Sequence, residues 1–326
     1  MIRFLRKLLI TCGLILLCLF LLWAIAALYF DANNWLAVSL ALVCIIAGLY
    51  FRSIKHTSLF VLPACLVVLT WWLTLSPDNN RDWRPEVTNL PGATITGSQI
   101  SITNVRHFDY QSENSFTENW ETRHFNLDRL IGADLFLVFW GPEHIAHTIT
   151  SWRFSDGSHI AISIETRKEK HEEYSAIKGF FRQFEVYYVV ADERDLIKLR
   201  TDHRGEEVYL YKLGFPLEEA KAMLLDYLRE INQLKQEPRW YNALTHNCTT
   251  AIRYHSKQIG AARALDWRLF LNGHLPELGY ERGVMDQSLS LNELRKASNI
   301  TDKAKRLPAD ANFSAAIRAG LPGFTR

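Results

Sequence analysis

Hydrophobic positions fall into two patterns along the chain. Residues 8–30, 35–51 and 59–76 are continuous apolar runs without a charged residue. Each is long enough to cross a bilayer core, which takes roughly 17–25 helical residues. Runs this uniform do not suit amphipathic surface helices, so they predict three transmembrane helices. Beyond residue 77 the pattern breaks into short segments. "PDNNRDWRPE" (77–86) is polar, holds two prolines and opens a predicted linker over 77–92. Alternation in "QISITNV" and an apolar run at Leu135–Trp140 predict strands, as do "RQFEVYYVVADERD" (182–195) and "EEVYLYKLG" (206–214). Two β-branched runs, 145–154 and 159–166, flank Ser155-Asp156-Gly157-Ser158, a hairpin signal.

Helical spacing returns at 215–236, where Leu217, Ala220, Leu224, Leu228, Ile231 and Leu234 form one apolar stripe. Pro216 and the Glu218-Glu219 pair suit its first turn. A second helix is expected over 248–259, with Asn247 as N-cap, Gly260 as the stop, and Ala251, Ile252 and Ile259 facing the core. "LSLNELRKASN" is expected to be a third. The pattern thus predicts a membrane anchor over 1–76 and one α+β domain over 93–326, a size that suits a single domain. No internal repeat is visible.

Charge orients the anchor. Arg3, Arg6 and Lys7 precede the first run, and Arg52 and Lys55 lie between the second and third, whereas Asp31 follows the first. Basic residues favour the cytoplasmic side, so the N-terminus is expected inside and the domain in the periplasm, anchored in a bacterial inner membrane. The net charge of +2 is near neutral and no basic patch interleaves with aromatics. Nucleic acid is therefore not an expected partner.

Cysteine usage changes the picture most. Of five cysteines, Cys12, Cys18, Cys44 and Cys65 lie in the apolar runs. Cys248 alone lies in the domain, where it has no partner for a disulfide within that domain. Its bland reading is a small buried hydrophobe. Its chemical reading is a nucleophile: a thiol on the first residue of a helix feels unpaired N–H groups and the positive end of the dipole, which lower its pKa. The same N–H groups can form part of an oxyanion hole. A thiol nucleophile wants a base. His255 is too far along the helix and His246 would have to fold back, so both are expected to be loop or helix-surface residues. His147 interrupts the strand "IAHTIT", where an imidazole needs a polar partner. Glu165, Ser163 and His159 are the candidates to orient it. A two-residue Asp-Gly turn would set His147 opposite Thr166 and turn Glu165 to the other face. A bulge or a different loop length would bring Glu165 back. Asn247, Thr249 and Tyr241 are expected to support substrate or oxyanion. No metal site is expected, since His144 and His147 lie at a strand entry without further ligands, and no cofactor motif is present.

"RWYNALTHNCTTAI", "IAHTITSWRFSDGSHIAISIETRKEK" and "WETRHFNLDRLIGADLFLVFWG" together resemble the Lnb-type periplasmic domain, a family named for a bacterial lipoprotein N-acyltransferase. The order histidine strand, hairpin, cysteine helix is also similar to the circularly permuted papain-like group. The resemblance implies an antiparallel sheet with a Cys-bearing helix, and acyl transfer or hydrolysis through a thioester. Cys248 would be the nucleophile, His147 the base and Glu165 the orienting group, with Asn247 holding the cysteine turn. The implied substrate is a membrane lipid or lipoprotein. The same residues also fit a cysteine peptidase or amidase acting on cell-wall peptide, and a non-catalytic envelope binding protein.

Overall fold

The computed structural model of the chain describes residues 2–245, 247–258, 266–310 and 312–324, without the side chains of Ile2, Cys248 and residues 256–258. The helices are α1 (Ile2–Asp31), α2 (Asn34–Phe51), α3 (Ile54–Thr74), α4 (Glu193–Lys198), α5 (Leu217–Gln236), α6 (Cys248–Gln258), α7 (Leu275–Glu281), α8 (Leu291–Ser298), α9 (Thr301–Arg306) and α10 (Phe313–Arg318). The strands are β1 (Gly92–Thr96), β2 (Gln99–Arg106), β3 (Asp109–Ser112), β4 (Ser115–Thr117), β5 (Trp120–Asn126), β6 (Leu130–Phe139), β7 (His147–Phe154), β8 (His159–Arg167), β9 (Glu185–Ala191) and β10 (Glu207–Leu213). The predicted apolar runs all form helices, and α1, α2 and α3 are each long and apolar enough to cross a membrane.

The chain divides into two compact units. The first holds residues 1–78, 174–185 and 239–242. Here α1, α2 and α3 pack through small or slim side chains (Ala24, Ala27, Cys65 and Val68), which let the backbones approach closely. Trp72 Nε1 donates to Asp31 Oδ2 (2.7 Å) and Gln183 Nε2 to Asp31 Oδ1 (2.8 Å), so polar contacts collect at one end of the helices.

The second unit is the α+β domain. Its main sheet runs β1-β2-β9-β8-β7-β6-β10, with β5 also paired to β2. The pairings of β8, β7, β6 and β10 are antiparallel. One face carries Ala133, Trp152, Phe154, Ile160, Ile162 and Tyr188, covered by α5 through Ala220, Leu224, Tyr227 and Leu228, with Ala251 and Ile252 of α6 packed against the same core. Trp152 is fully buried and donates from Nε1 to the Ala220 carbonyl (3.0 Å), which locks α5 onto β7. Leu217 is 40% exposed, so the buried apolar stripe starts at Ala220 rather than at Leu217. The other face carries Phe136, Val138, Ile149, Val189 and Leu210, covered by α4, α9 and α10. On that face Arg318 of α10 bonds Asp134 of β6 (2.9 Å) and Glu193 of α4 (2.7 Å). Burial tends to raise the Glu193 carboxyl, but the Arg318 charge and its hydrogen bonds outweigh that and hold it low.

Within the stretch expected to be a linker, Trp83 and Val87 are buried in this second core and Arg167 stacks over Trp83 at 4.1 Å. The hairpin between β7 and β8 differs from a two-residue turn. Arg153 pairs with His159, and the Phe154 amide donates to the Ser158 carbonyl (3.0 Å), leaving Ser155, Asp156 and Gly157 as a three-residue loop. Gly157 takes φ +85°, the left-handed position such a loop demands.

Candidate active site

The three-residue loop sets the register that matters. Ile149 pairs with Ser163, so His147 falls opposite Glu165, and both histidine and glutamate share the face of Ser163. His147 Nε2 lies 2.6 Å from Ser163 Oγ and 3.7 Å from Glu165 Oε1. Ser163 Oγ donates to Glu165 Oε1 (2.7 Å), and Arg200 Nη2 donates to the same oxygen (2.9 Å). Burial tends to raise the Glu165 carboxyl, but the charge of Arg200, with His147 and Arg106 beyond it, holds it well below the usual carboxylate range. An ionised Glu165 can only accept. The Ser163 proton therefore goes to Glu165, and Ser163 accepts from Nε2–H of His147. In the neutral ring the lone pair is then on Nδ1, which has no hydrogen-bond partner among the described residues.

Cys248 opens α6. Its side chain lies outside the described atoms, as do His246, Ile259 and Gly260. Asn247 caps the helix as expected: its Oδ1 accepts from the amides of Thr249 (3.0 Å) and Thr250 (2.9 Å). Thr250 Oγ1 accepts in return from the Asn247 amide (2.8 Å), a reciprocal cap. The amides of Thr249 and Thr250 are thus engaged by Asn247.

His147 and the body of α6 lie on opposite faces of the sheet, and they approach at its rim, where β7 begins. Asn272 makes the connection. Its Oδ1 accepts from the Ala146 amide (2.8 Å), and its Nδ2 donates to the Ala146 carbonyl (2.5 Å) and to Thr249 Oγ1 (2.7 Å). One buried amide side chain therefore ties the residue before His147 to the residue after Cys248. The Gly273 amide donates to the His144 carbonyl (3.1 Å) in the same contact. A Cβ at Gly273 would overlap the Glu143 carbonyl oxygen, so the close approach needs glycine.

The other expected residues fall elsewhere. His159 Nδ1 is bonded to the Gly157 carbonyl (2.9 Å) at the far end of the hairpin. Tyr241 belongs to the first unit, where its amide donates to the Phe184 carbonyl (2.7 Å). His255, expected on a helix surface, is fully buried. Its Nδ1 meets Asp226 Oδ2 (2.7 Å), its Nε2 meets Tyr188 Oη (2.8 Å), and its ring lies 3.9 Å from that of Tyr227. The cause is physical: Tyr227 of α5 and Tyr188 of β9 pack on this side of α6, and Asp226 supplies the partner an interior imidazole requires. His144 Nδ1 meets His274 Nε2 (2.9 Å), and His274 Nδ1 meets Glu277 (2.8 Å). Among the described residues no group of three or more His, Cys, Asp and Glu side chains is placed to hold a metal ion.

A cavity of about 170 Å³ adjoins the start of α6. Thr249, Ile252, Met223, Leu278 and Met285 line it, with Arg253 and Arg282 as its charged members. Arg200 and Asn272 were not anticipated from sequence. The only local hint was the Asn-Gly pair at 272–273, a turn signal.

No curated protein and no solved structure matches the chain. Residues 116–273 match the family model of the Lnb N-terminal periplasmic domain, a span holding His147, Ser163, Glu165, Arg200, Asn247, Cys248 and Asn272. Residues 116–273 are thus similar to the Lnb N-terminal periplasmic domain, and three helices long and apolar enough to cross a membrane stand before them.

Proposed function

We propose that the chain is a periplasm-facing thiol acyltransferase or lipid hydrolase, acting on a membrane lipid or lipoprotein through a thioester on Cys248. The observation that carries this reading is the relay Arg200–Glu165–Ser163–His147. It leaves Nδ1 as the basic nitrogen, on a residue whose neighbour is bonded through Asn272 to the start of the cysteine helix. The reaction then needs no further group. Nδ1 takes the thiol proton as sulfur attacks the acyl carbonyl. The tetrahedral oxyanion falls to the Cys248 amide, since the next two amides serve the Asn247 cap. Collapse breaks the ester C–O bond, and the imidazolium protonates the leaving alcohol. An amine or water then attacks the thioester, gives its proton to His147 and releases the thiol. The apolar cavity at Thr249 supports an acyl substrate over a cell-wall peptide. The positive-inside rule supports the periplasmic orientation.

The competing reading is a non-catalytic envelope protein. It is favoured by the placement of His147 and the body of α6 on opposite faces, which requires thiol and imidazole to meet around the rim. One experiment separates them. Intact membranes are labelled with a lipid-like electrophile and the modified residue is mapped. Labelling at Cys248 that is lost in His147→Ala supports the dyad. Undiminished acyl transfer in Cys248→Ala would sink it.

A further inference from the structure

The three apolar helices pack closely over only part of their length. Ala24, Ala27 and Cys65 are wholly buried between them. Toward Arg52 the helices part, and the gap is a cavity of about 630 Å³. Leu14, Leu17, Leu21, Ala41 and Ile45 make its walls apolar. Its polar lining sits where α2 gives way to α3, at Arg52, Ser53, Thr57 and Ser58. Arg52 ends α2 with φ +48°, a left-handed position uncommon for a residue with a Cβ, and its amide donates to the Gly48 carbonyl (3.2 Å). Among the described residues, the Arg52 guanidinium has no ion-pair partner.

We propose that this cleft holds one acyl chain of an anionic phospholipid, whose phosphate pairs with Arg52. A gap between spanning helices that opens to the bilayer is filled by hydrocarbon, since the apolar walls offer water no partners. The guanidinium and the hydroxyls at one end give that filling a direction. A planar fork of donors matches phosphate oxygens, and the neighbouring hydroxyls add further donors. A zwitterionic headgroup brings its own cation beside Arg52 and gains less. The site is independent of the reaction proposed for the domain.

The test uses the full chain in detergent, titrated with phosphatidylglycerol and phosphatidylcholine and read by native mass spectrometry. Wild type should retain one phosphatidylglycerol about fivefold better than phosphatidylcholine, the preference one basic residue supplies at a membrane surface. Arg52→Gln should abolish that preference, and Lys55→Gln, outside the lining, should keep it. A Cβ at Gly48 meets only the Thr57 methyl, at 3.9 Å, so Gly48→Leu can fill the cleft and should lower retention of both lipids. Equal retention of the two lipids by wild type, or an unchanged preference in Arg52→Gln, would overturn the proposal. A preference lost equally in Lys55→Gln would do the same, by showing a diffuse charge effect.

Discussion

Two histidines in the domain have an acid behind them, Asp226 directly for His255 and Glu165 through Ser163 for His147, and their surroundings differ. His255 has both ring nitrogens engaged, by Asp226 and Tyr188, and is sealed under α5 and α6. His147 has Nε2 engaged by Ser163 and stands at the rim of the sheet, and its Nδ1 has no hydrogen-bond partner among the described residues. An imidazole with both positions satisfied is a structural post. One with a fixed tautomer and an unused lone pair is equipped to move a proton. The acid partner alone therefore does not mark a base; the free position does.

Alanine at each of the two positions is expected to give the largest effects. His147→Ala should lower acyl transfer by about 10²–10⁴-fold, the range of a lost general base, with little change in unfolding temperature. His255→Ala should destabilise the fold by about 3 kcal/mol, from the cavity and the stranded Asp226 and Tyr188, and should affect activity only through the folded fraction. Thermal unfolding and turnover measured on both variants decide it. Equal effects on both quantities would erase the distinction.

A smaller effect is expected from Arg200→Gln. Glu165 has a depressed carboxyl pKa in the fold, so its contribution is present above the ordinary carboxylate range and is lost only as pH falls through the lower folded value. Removing the Arg200 charge should bring that loss to higher pH. The acid limb of the kcat/KM profile should move upward, and an unmoved limb would detach Glu165 from the relay.

The smallest effect is expected at Thr148, beside His147. Thr148 is 1% exposed, and its Oγ1 has no hydrogen-bond partner among the described residues. Thr148→Val keeps the shape and removes that hydroxyl, so it should leave stability unchanged or raise it by about 1 kcal/mol. A clear loss in chemical denaturation would mean that the hydroxyl is satisfied in solution.

Local pattern made most of the elements legible. Uncharged runs announced α1, α2 and α3, and apolar spacing announced α5. Asn247 announced the start of α6, because a cap is a contact between near neighbours. Strand β5 escaped notice because "WETRHFN" carries polar side chains and stands outside the main strand order, paired only to β2. The hairpin register hung on a single residue: Ser-Asp-Gly-Ser suits loops of two or three residues, and only the longer one turns Glu165 toward His147. Arg200 and Asp226 left no readable trace, and Asn272 only the turn signal of its Asn-Gly pair. Each acts on a partner distant in sequence, which only the folded chain brings near.

The Asn272 clamp also orders events during synthesis. The chain emerges from its N-terminus, so the histidine strand appears first, the cysteine helix second and Asn272 last. Until residue 272 has arrived and Gly273 has settled against Glu143, the bridge from Thr249 to Ala146 through the Asn272 side chain cannot form. The histidine strand and the cysteine helix are thus made separately and joined by a later piece of the same polypeptide. A nascent or truncated domain would carry both segments without the contact that ties one to the other.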